Sequence, residues 1–252
     1  MDKLLLVKLG GSVITDKSKP YTPNLKNIRR FVTEIKKKVK RGQKIILVHG
    51  QGSYAHIPAK EYRVKDGMTV KNRWGVALTE FDAVEINRIV LKELLTQKVP
   101  AISFSPMSLF FAEGRQTKME NLEGLKEAVK RGLVPVLYGD VIMDSQHGVC
   151  IYSGERVIAE LVAGLHQSWE IEKIVYVSDV KGVLDEKGQV ISQISTRNYK
   201  KVKVAITGSK LTDVTGGMIH KVEESLSLAK KYGIEVTIGN NVKGVGGTKI
   251  IG

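Results

Sequence analysis

Short apolar runs alternate with longer amphipathic stretches along most of this chain. The runs Leu4 to Leu9, Ile45 to Val48, Ala101 to Phe104, Val134 to Tyr138, Ile174 to Val177 and Val236 to Ile238 have the length and continuity of buried strands. Between them, Leu25, Ile28, Phe31, Val32, Ile35 and Val39 recur at helical spacing. So do Phe81, Val84, Ile89, Val90, Leu94 and Leu95 within Leu78 to Leu95, and each set predicts a helix with one core-facing stripe. Further helices are expected over Val157 to Leu165 and from about Met218 to Tyr232, the latter ended by Gly233. Strands that alternate with helices predict βαβ units, hence a mostly parallel sheet covered on both faces. Two segments break the alternation and read as hairpins: Ser108 to Met119 around Glu113 and Gly114, and Val141 to Tyr152 with Asp144, Ser145 and Gly148 at its turn.

Composition narrows the class. A chain of 252 residues with 42% hydrophobic positions can bury a sizeable core, and no linker or internal repeat divides it, so a single two-lobed domain over residues 1–252 is expected. The longest apolar runs fall far short of the roughly 18 residues that cross a bilayer, and the first residues lack the apolar stretch of a secretory signal. With Cys150 as the one cysteine, neither an intrachain disulfide nor a CxxC site can form, which fits a cytoplasmic protein. The net charge of +14 calls for an anionic partner, either nucleic acid on a broad basic face or a small phosphorylated ligand in a cleft. The densest basic run, Lys36, Lys37, Lys38, Lys40 and Arg41, sits at the end of a helix, where cations also suit the dipole, and no aromatic-rich basic stripe accompanies it.

Five loops carry candidate chemistry. Lys8, Leu9, Gly10, Gly11 and Ser12 leave the first strand; bare glycine amides, an ammonium and a hydroxyl form a phosphate cradle, although a tight turn would use the same glycines. The Walker pattern GxxxxGK[ST] is absent from the sequence. Gly50 to Ala55 reads GxGxxA, which permits a dinucleotide site, but the acidic strand end expected about 20 residues later is missing. His56 follows these glycines and can donate to a phosphate oxygen, whereas His49 closes the strand as a structural residue. Ser153, Gly154, Glu155 and Arg156 start a helix, Ser178 to Gly182 follows the fifth strand, and Gly216, Gly217 and Lys221 open the last helix as a second anion site. In an open parallel sheet such loops can share the carboxyl edge, and two cradles suggest two phosphorylated ligands.

Taken together, KLGGSVITDK (Lys8 to Lys17), HGQGSYAH (His49 to His56), YGDV (Tyr138 to Val141), YSGE (Tyr152 to Glu155), SDVKG (Ser178 to Gly182) and DVTGGMIHK (Asp213 to Lys221) resemble the amino-acid kinase superfamily, and within it the isopentenyl phosphate kinases of archaeal type. The resemblance spans nearly the whole chain. It implies a three-layer αβα sandwich, an acceptor-binding half over 1–165, an ATP-binding half over 166–252, Mg²⁺ with the ATP, and a homodimer. It further implies that Lys8, Leu9, Gly10, Gly11, Ser12, Gly52, Asp179, Gly216, Gly217 and Lys221 bind ATP. Gln51, His56 and Gly154 would bind the acceptor, with Lys17, Lys8 and His56 catalytic and Lys17 stabilising the transition state. The sequence departs from the family at Gln51, where glycine is usual, and at Glu155 and Arg156, where SGDD becomes SGER. Isopentenyl phosphate is therefore the expected acceptor, with another small phosphate or a fosfomycin-like phosphonate as the alternative within the superfamily. A dinucleotide- or nucleic-acid-binding protein is the more distant one.

Overall fold

The computed structural model describes residues 3–16, 18–208 and 217–252. In chain order the elements are β1 (Lys3–Leu9), α1 (Gly11–Ile14), α2 (Leu25–Val39), β2 (Lys44–His49), α3 (His56–Glu61), α4 (Arg73–Thr96), β3 (Ala101–Ser103), α5 (Pro106–Leu109), β4 (Phe110–Glu113) and β5 (Gln116–Glu120). They continue with α6 (Glu123–Lys130), β6 (Val134–Tyr138), β7 (Asp140–Asp144), β8 (Gly148–Tyr152), α7 (Gly154–Leu165), β9 (Glu170–Val177), β10 (Gln193–Ser195), α8 (Tyr199–Gly208), α9 (Gly217–Tyr232), β11 (Val236–Gly239) and β12 (Thr248–Ile251).

The main sheet runs β10-β12-β11-β9-β1-β2-β6-β3 and is parallel except where β12 turns back on β11. Strand parity sorts β1 into two layers. Leu4 and Leu6 pack on the face covered by α7 and α9, with Leu161, Val222 and Leu226. Leu5, Val7 and Leu9 pack on the opposite face, with Ile28, Phe31 and Ile35 of α2 and Ile86 and Val90 of α4. This is the expected αβα sandwich. Helix starts follow ordinary capping: the Asn24 side chain accepts from the Asn27 amide at 3.1 Å, and Ser153 Oγ accepts from the Arg156 amide at 3.1 Å.

A second sheet, β5-β4-β7-β8, contains both expected hairpins. Ile142, Cys150 and Tyr152 face the main core, while Val141 and Val149 pack under α3 and α4 against Ala59 and Val76. The first hairpin begins at Phe110 rather than Ser108, because Pro106 starts a short helix. Helix α4 begins at Arg73 rather than Leu78; Gly75 sits against the Tyr62 ring, a contact that an apolar-periodicity reading does not register. The fifth expected strand likewise starts earlier, at Glu170, where it pairs with Lys3.

Asp140, at the junction of the two sheets, accepts from the Val141 amide at 2.8 Å and the Met107 amide at 3.2 Å. Burial outweighs these donors and pushes its carboxyl from 3.8 up to about 8. The folded state therefore holds a proton that the unfolded chain releases, so this group's contribution to stability is largest at acid pH and is lost as pH rises toward 8. Asp140→Asn is expected to flatten the decline of unfolding free energy between about pH 5 and pH 8, measured by urea denaturation across that range.

Candidate active site

Lys8 shares the parity of Leu4 and Leu6, so its side chain runs toward the N-terminus of α7. There Nζ donates to Glu155 Oε1 at 2.6 Å, and both side chains are almost wholly buried. Burial pushes the Glu155 carboxyl up, but the Lys8 charge and hydrogen bond, aided by Lys221, bring it down from 4.5 to about 2. Glu155 is thus an anion at neutral pH. A Cβ on Gly154 would stand 3.0 Å from Lys8 Cε, so a side chain there would crowd the lysine.

The two glycine loops meet backbone to backbone. A Cβ on Gly11 would fall 2.5 Å from the Gly52 amide nitrogen, and one on Gly50 would fall 2.7 Å from that of Gly11. Gly52 has φ of +57°, and a Cβ there would collide with Thr15 Oγ1. Thr15 Oγ1 donates to the Gly11 carbonyl at 2.8 Å and accepts from the Ser53 amide at 3.0 Å, tying the loops together. The result is a wall of main-chain amides without side chains in front of it.

That wall borders a cavity of about 1260 Å³ whose lining includes Lys8, Gly10, Gly11, Ser12, Gln51, Gly52, His56, Gly154, Glu155 and Lys221. Residues from the first, second, third and fifth candidate loops therefore converge, as the parallel-sheet edge requires. Asp179 does not join them: it lines a neighbouring cavity of about 590 Å³ with Asp16, Asn24 and Lys26, and Ser12 borders both spaces. Leu9 is also absent from the lining, because its parity turns the side chain into the α2 layer; its carbonyl instead accepts from the Gly50 amide at 2.9 Å. Gly217 begins α9, four residues before Lys221. Lys17 and Gly216 lie outside the described residues.

Both departures from the family pattern have structural partners. Gln51 Nε2 donates to the Gly139 carbonyl at 2.6 Å, joining two segments of the cavity wall. The Arg156 guanidinium stacks on the Tyr152 ring at 4.1 Å and reaches Glu160 Oε1 at 3.3 Å, outside the cavity lining. His49 is structural as expected. It is fully buried between the Gly50 carbonyl and Asn87, and burial lowers its affinity for a proton.

Sequence reading missed Glu224, one turn beyond Lys221 on α9. Burial raises its carboxyl, with the facing Glu155 adding to this and His220, Lys8 and Arg156 opposing it. Helical spacing from Lys221 was the available signal. The helix α4 does not supply the cavity with a lining residue; apolar surface comes from Pro20, Ile57, Ile151 and Tyr152.

Gly52→Ala is expected to destabilise the fold by about 2 kcal/mol or more, through positive-φ strain and displacement of Thr15, as read by thermal or urea unfolding. A change of under half that size would show that the two loops can separate without cost.

The amino acid kinase family model matches residues 3–240. An isopentenyl phosphate kinase of Methanocaldococcus jannaschii is 34% identical over 234 residues, 87% of this chain and 85% of that protein. One of Methanothermobacter thermautotrophicus is 32% identical over 94% of this chain and 91% of its own length. Among solved structures, one described as X-ray structures of isopentenyl phosphate kinase superposes with a TM-score of 0.79 at 26% identity, covering 98% of this chain and 99% of that one. The cradle of glycine amides and ammonium groups thus sits on a recognised scaffold, and the chain belongs to the amino acid kinase family.

Proposed function

We propose that this protein transfers the γ-phosphoryl group of ATP to the phosphate of isopentenyl phosphate, giving isopentenyl diphosphate and ADP. The observation that carries this reading is the placement of His56 in the same cavity as the Lys8–Glu155 pair and the glycine wall. A donor polyanion and an acceptor phosphate can meet there, and a histidine suits an acceptor that is itself a phosphate. The similarity to isopentenyl phosphate kinases supports the choice of acceptor. Pro20, Ile57 and Ile151 give a short apolar tail somewhere to lie.

The attacking oxygen is already anionic, so no general base is needed. One bond forms, from an acceptor phosphate oxygen to the γ-phosphorus, and one breaks, between that phosphorus and the β,γ-bridging oxygen, which leaves with ADP. The difficulty is bringing like charges together, a matter of positioning and neutralisation. In this reading Lys8 and Lys221 face the ATP phosphates, and Glu155 keeps Lys8 aimed without accepting its proton. The Gly11 and Gly52 amides contact phosphate oxygens, while the Gly10 amide is held by the Val177 carbonyl at 2.8 Å and this glycine lines the cavity, and His56 and Gly154 receive the acceptor phosphate. Lys17 would balance charge in the transition state. Asp179, which lines the adjoining cavity with Ser12, would serve the nucleoside end, and residues 1–165 and 166–252 would divide acceptor and ATP between them.

Mg²⁺ bound with ATP would supply further neutralisation. Among the described residues no group of three or more His, Cys, Asp or Glu is placed to hold a metal ion, and Glu155 is engaged by Lys8.

A coupled ADP-release assay with isopentenyl phosphate, alongside a phosphonate and other small phosphates, tests the reaction; turnover confined to a different acceptor would overturn the substrate assignment. Lys17→Ala is expected to lower kcat by roughly 10² to 10³ with the melting temperature unchanged, and near-normal turnover would remove it from the mechanism. His56→Ala is expected to raise the acceptor KM about tenfold or more while the ATP KM stays within about twofold, since charge-assisted hydrogen bonds are worth roughly 1.5–3 kcal/mol. Equal losses for both ligands would point to a structural role.

A further inference from the structure

Residues 15–16 and 18–23 double back as a strap beside the cavity. Its base is closed by the antiparallel bridge between Thr15 and Pro23 and by the Asp16 amide donating to the Thr22 carbonyl at 2.9 Å. Ser18 and Pro20, nearer its tip, form part of the cavity wall. Tyr21 joins the strap to the loop that leads into His56: its amide donates to the Ser53 carbonyl at 3.1 Å, and its ring meets Tyr54 edge-on at 5.6 Å and 85°. A φ of +50° puts this bulky residue in the left-handed region, a conformation that persists only where the surroundings impose it.

A third anchor lies on α4. The Tyr21 phenol faces the carboxylate of Asp82, a side chain left 5% exposed. Asp82 Oδ2 has no hydrogen-bond partner among the described residues. A buried carboxylate oxygen without a donor is costly, and a phenol already turned toward it is the group able to satisfy it with a small approach. Burial raises both groups; Tyr21 partly offsets this for Asp82, while Glu85 adds to it, and on the phenol Asp82 and Glu61 act in the same upward direction as burial.

We propose that Tyr21 is a positioning residue for phosphoryl transfer: anchored at Ser53, Tyr54 and Asp82, it keeps the cavity wall at Ser18 and Pro20 in register with the loop bearing His56. It touches neither reactant. The role rests on reading the cavity as the kinase centre, and it goes beyond that reading by assigning catalytic geometry to a contact between the strap and a helix outside the cavity. Tyr21 is 45% exposed, so removing its hydroxyl should leave the fold intact.

The test compares Tyr21→Phe, Tyr21→Ala, Asp82→Asn and the Tyr21→Phe/Asp82→Asn double variant with wild type by ADP release, with both KM values and a thermal melt for each. Tyr21→Ala is expected to lower kcat by about 10², the scale of a misplaced reacting group. Tyr21→Phe keeps the Tyr54 contact and is expected to lose roughly 3- to 10-fold, with the ATP KM within about twofold of wild type. The double variant should be no worse than the poorer single one, because once Tyr21 has lost its hydroxyl the change at Asp82 has no phenol contact left to weaken. Turnover within twofold of wild type in both Tyr21 variants, additive losses in the double variant, or activity that falls only in step with the folded fraction would each overturn the proposal. If wild type turns over another phosphate acceptor and not isopentenyl phosphate, the substrate assignment fails while Tyr21 is judged on that acceptor.

Discussion

An ammonium and a carboxylate buried together at the end of a central strand constrain everything around them. Taking each charge out of water costs several kcal/mol, and their attraction offsets this only if the geometry is held. Here β1, flanked by β2 and β9, fixes Lys8, and the start of α7 fixes Glu155. Neither can relax far without leaving the other uncompensated. The same arrangement leaves a cation with a fixed direction beside a surface of bare amides, which is what two repelling phosphates need.

The close approach of two glycine-bearing loops follows from the same constraint. Gly11, Gly50 and Gly52 pack within distances that a Cβ would violate, so the amide wall exists only because three side chains are missing. Thr15 and Gln51 then hold the loops by hydrogen bonds to main-chain groups. Gln51 shows how a departure from a family pattern can be absorbed: the longer residue spends its amide on Gly139 and bridges the cavity wall.

Part of the excess of basic residues is offset by nearby carboxylates. Several are neutralised locally, as in the Arg63–Asp66, Lys118–Glu113 and Arg131–Glu127 pairs. Such exposed pairs contribute little to stability. For the proposed reaction, what counts is that Lys8 and Lys221 line one cavity, not the total.

The sequence by itself determined the alternation of strands and helices, the two hairpins and the loops that hold chemistry, because periodicity and glycine placement are local properties of a chain. It also marked Lys8, Gly11, Gly52, His56, Glu155 and Lys221, residues that the structure gathers around one cavity. It left out short elements such as α1, α3 and β12, whose few residues carry no periodic signal and form because neighbouring elements complete them. Only the tertiary structure decided that Leu9 turns away while Lys8 turns in, that Asp179 faces an adjoining cavity, and that Arg156 stacks on Tyr152. Those outcomes depend on strand parity relative to particular helices and on contacts between residues far apart in the chain, and neither quantity is written in any local stretch of sequence.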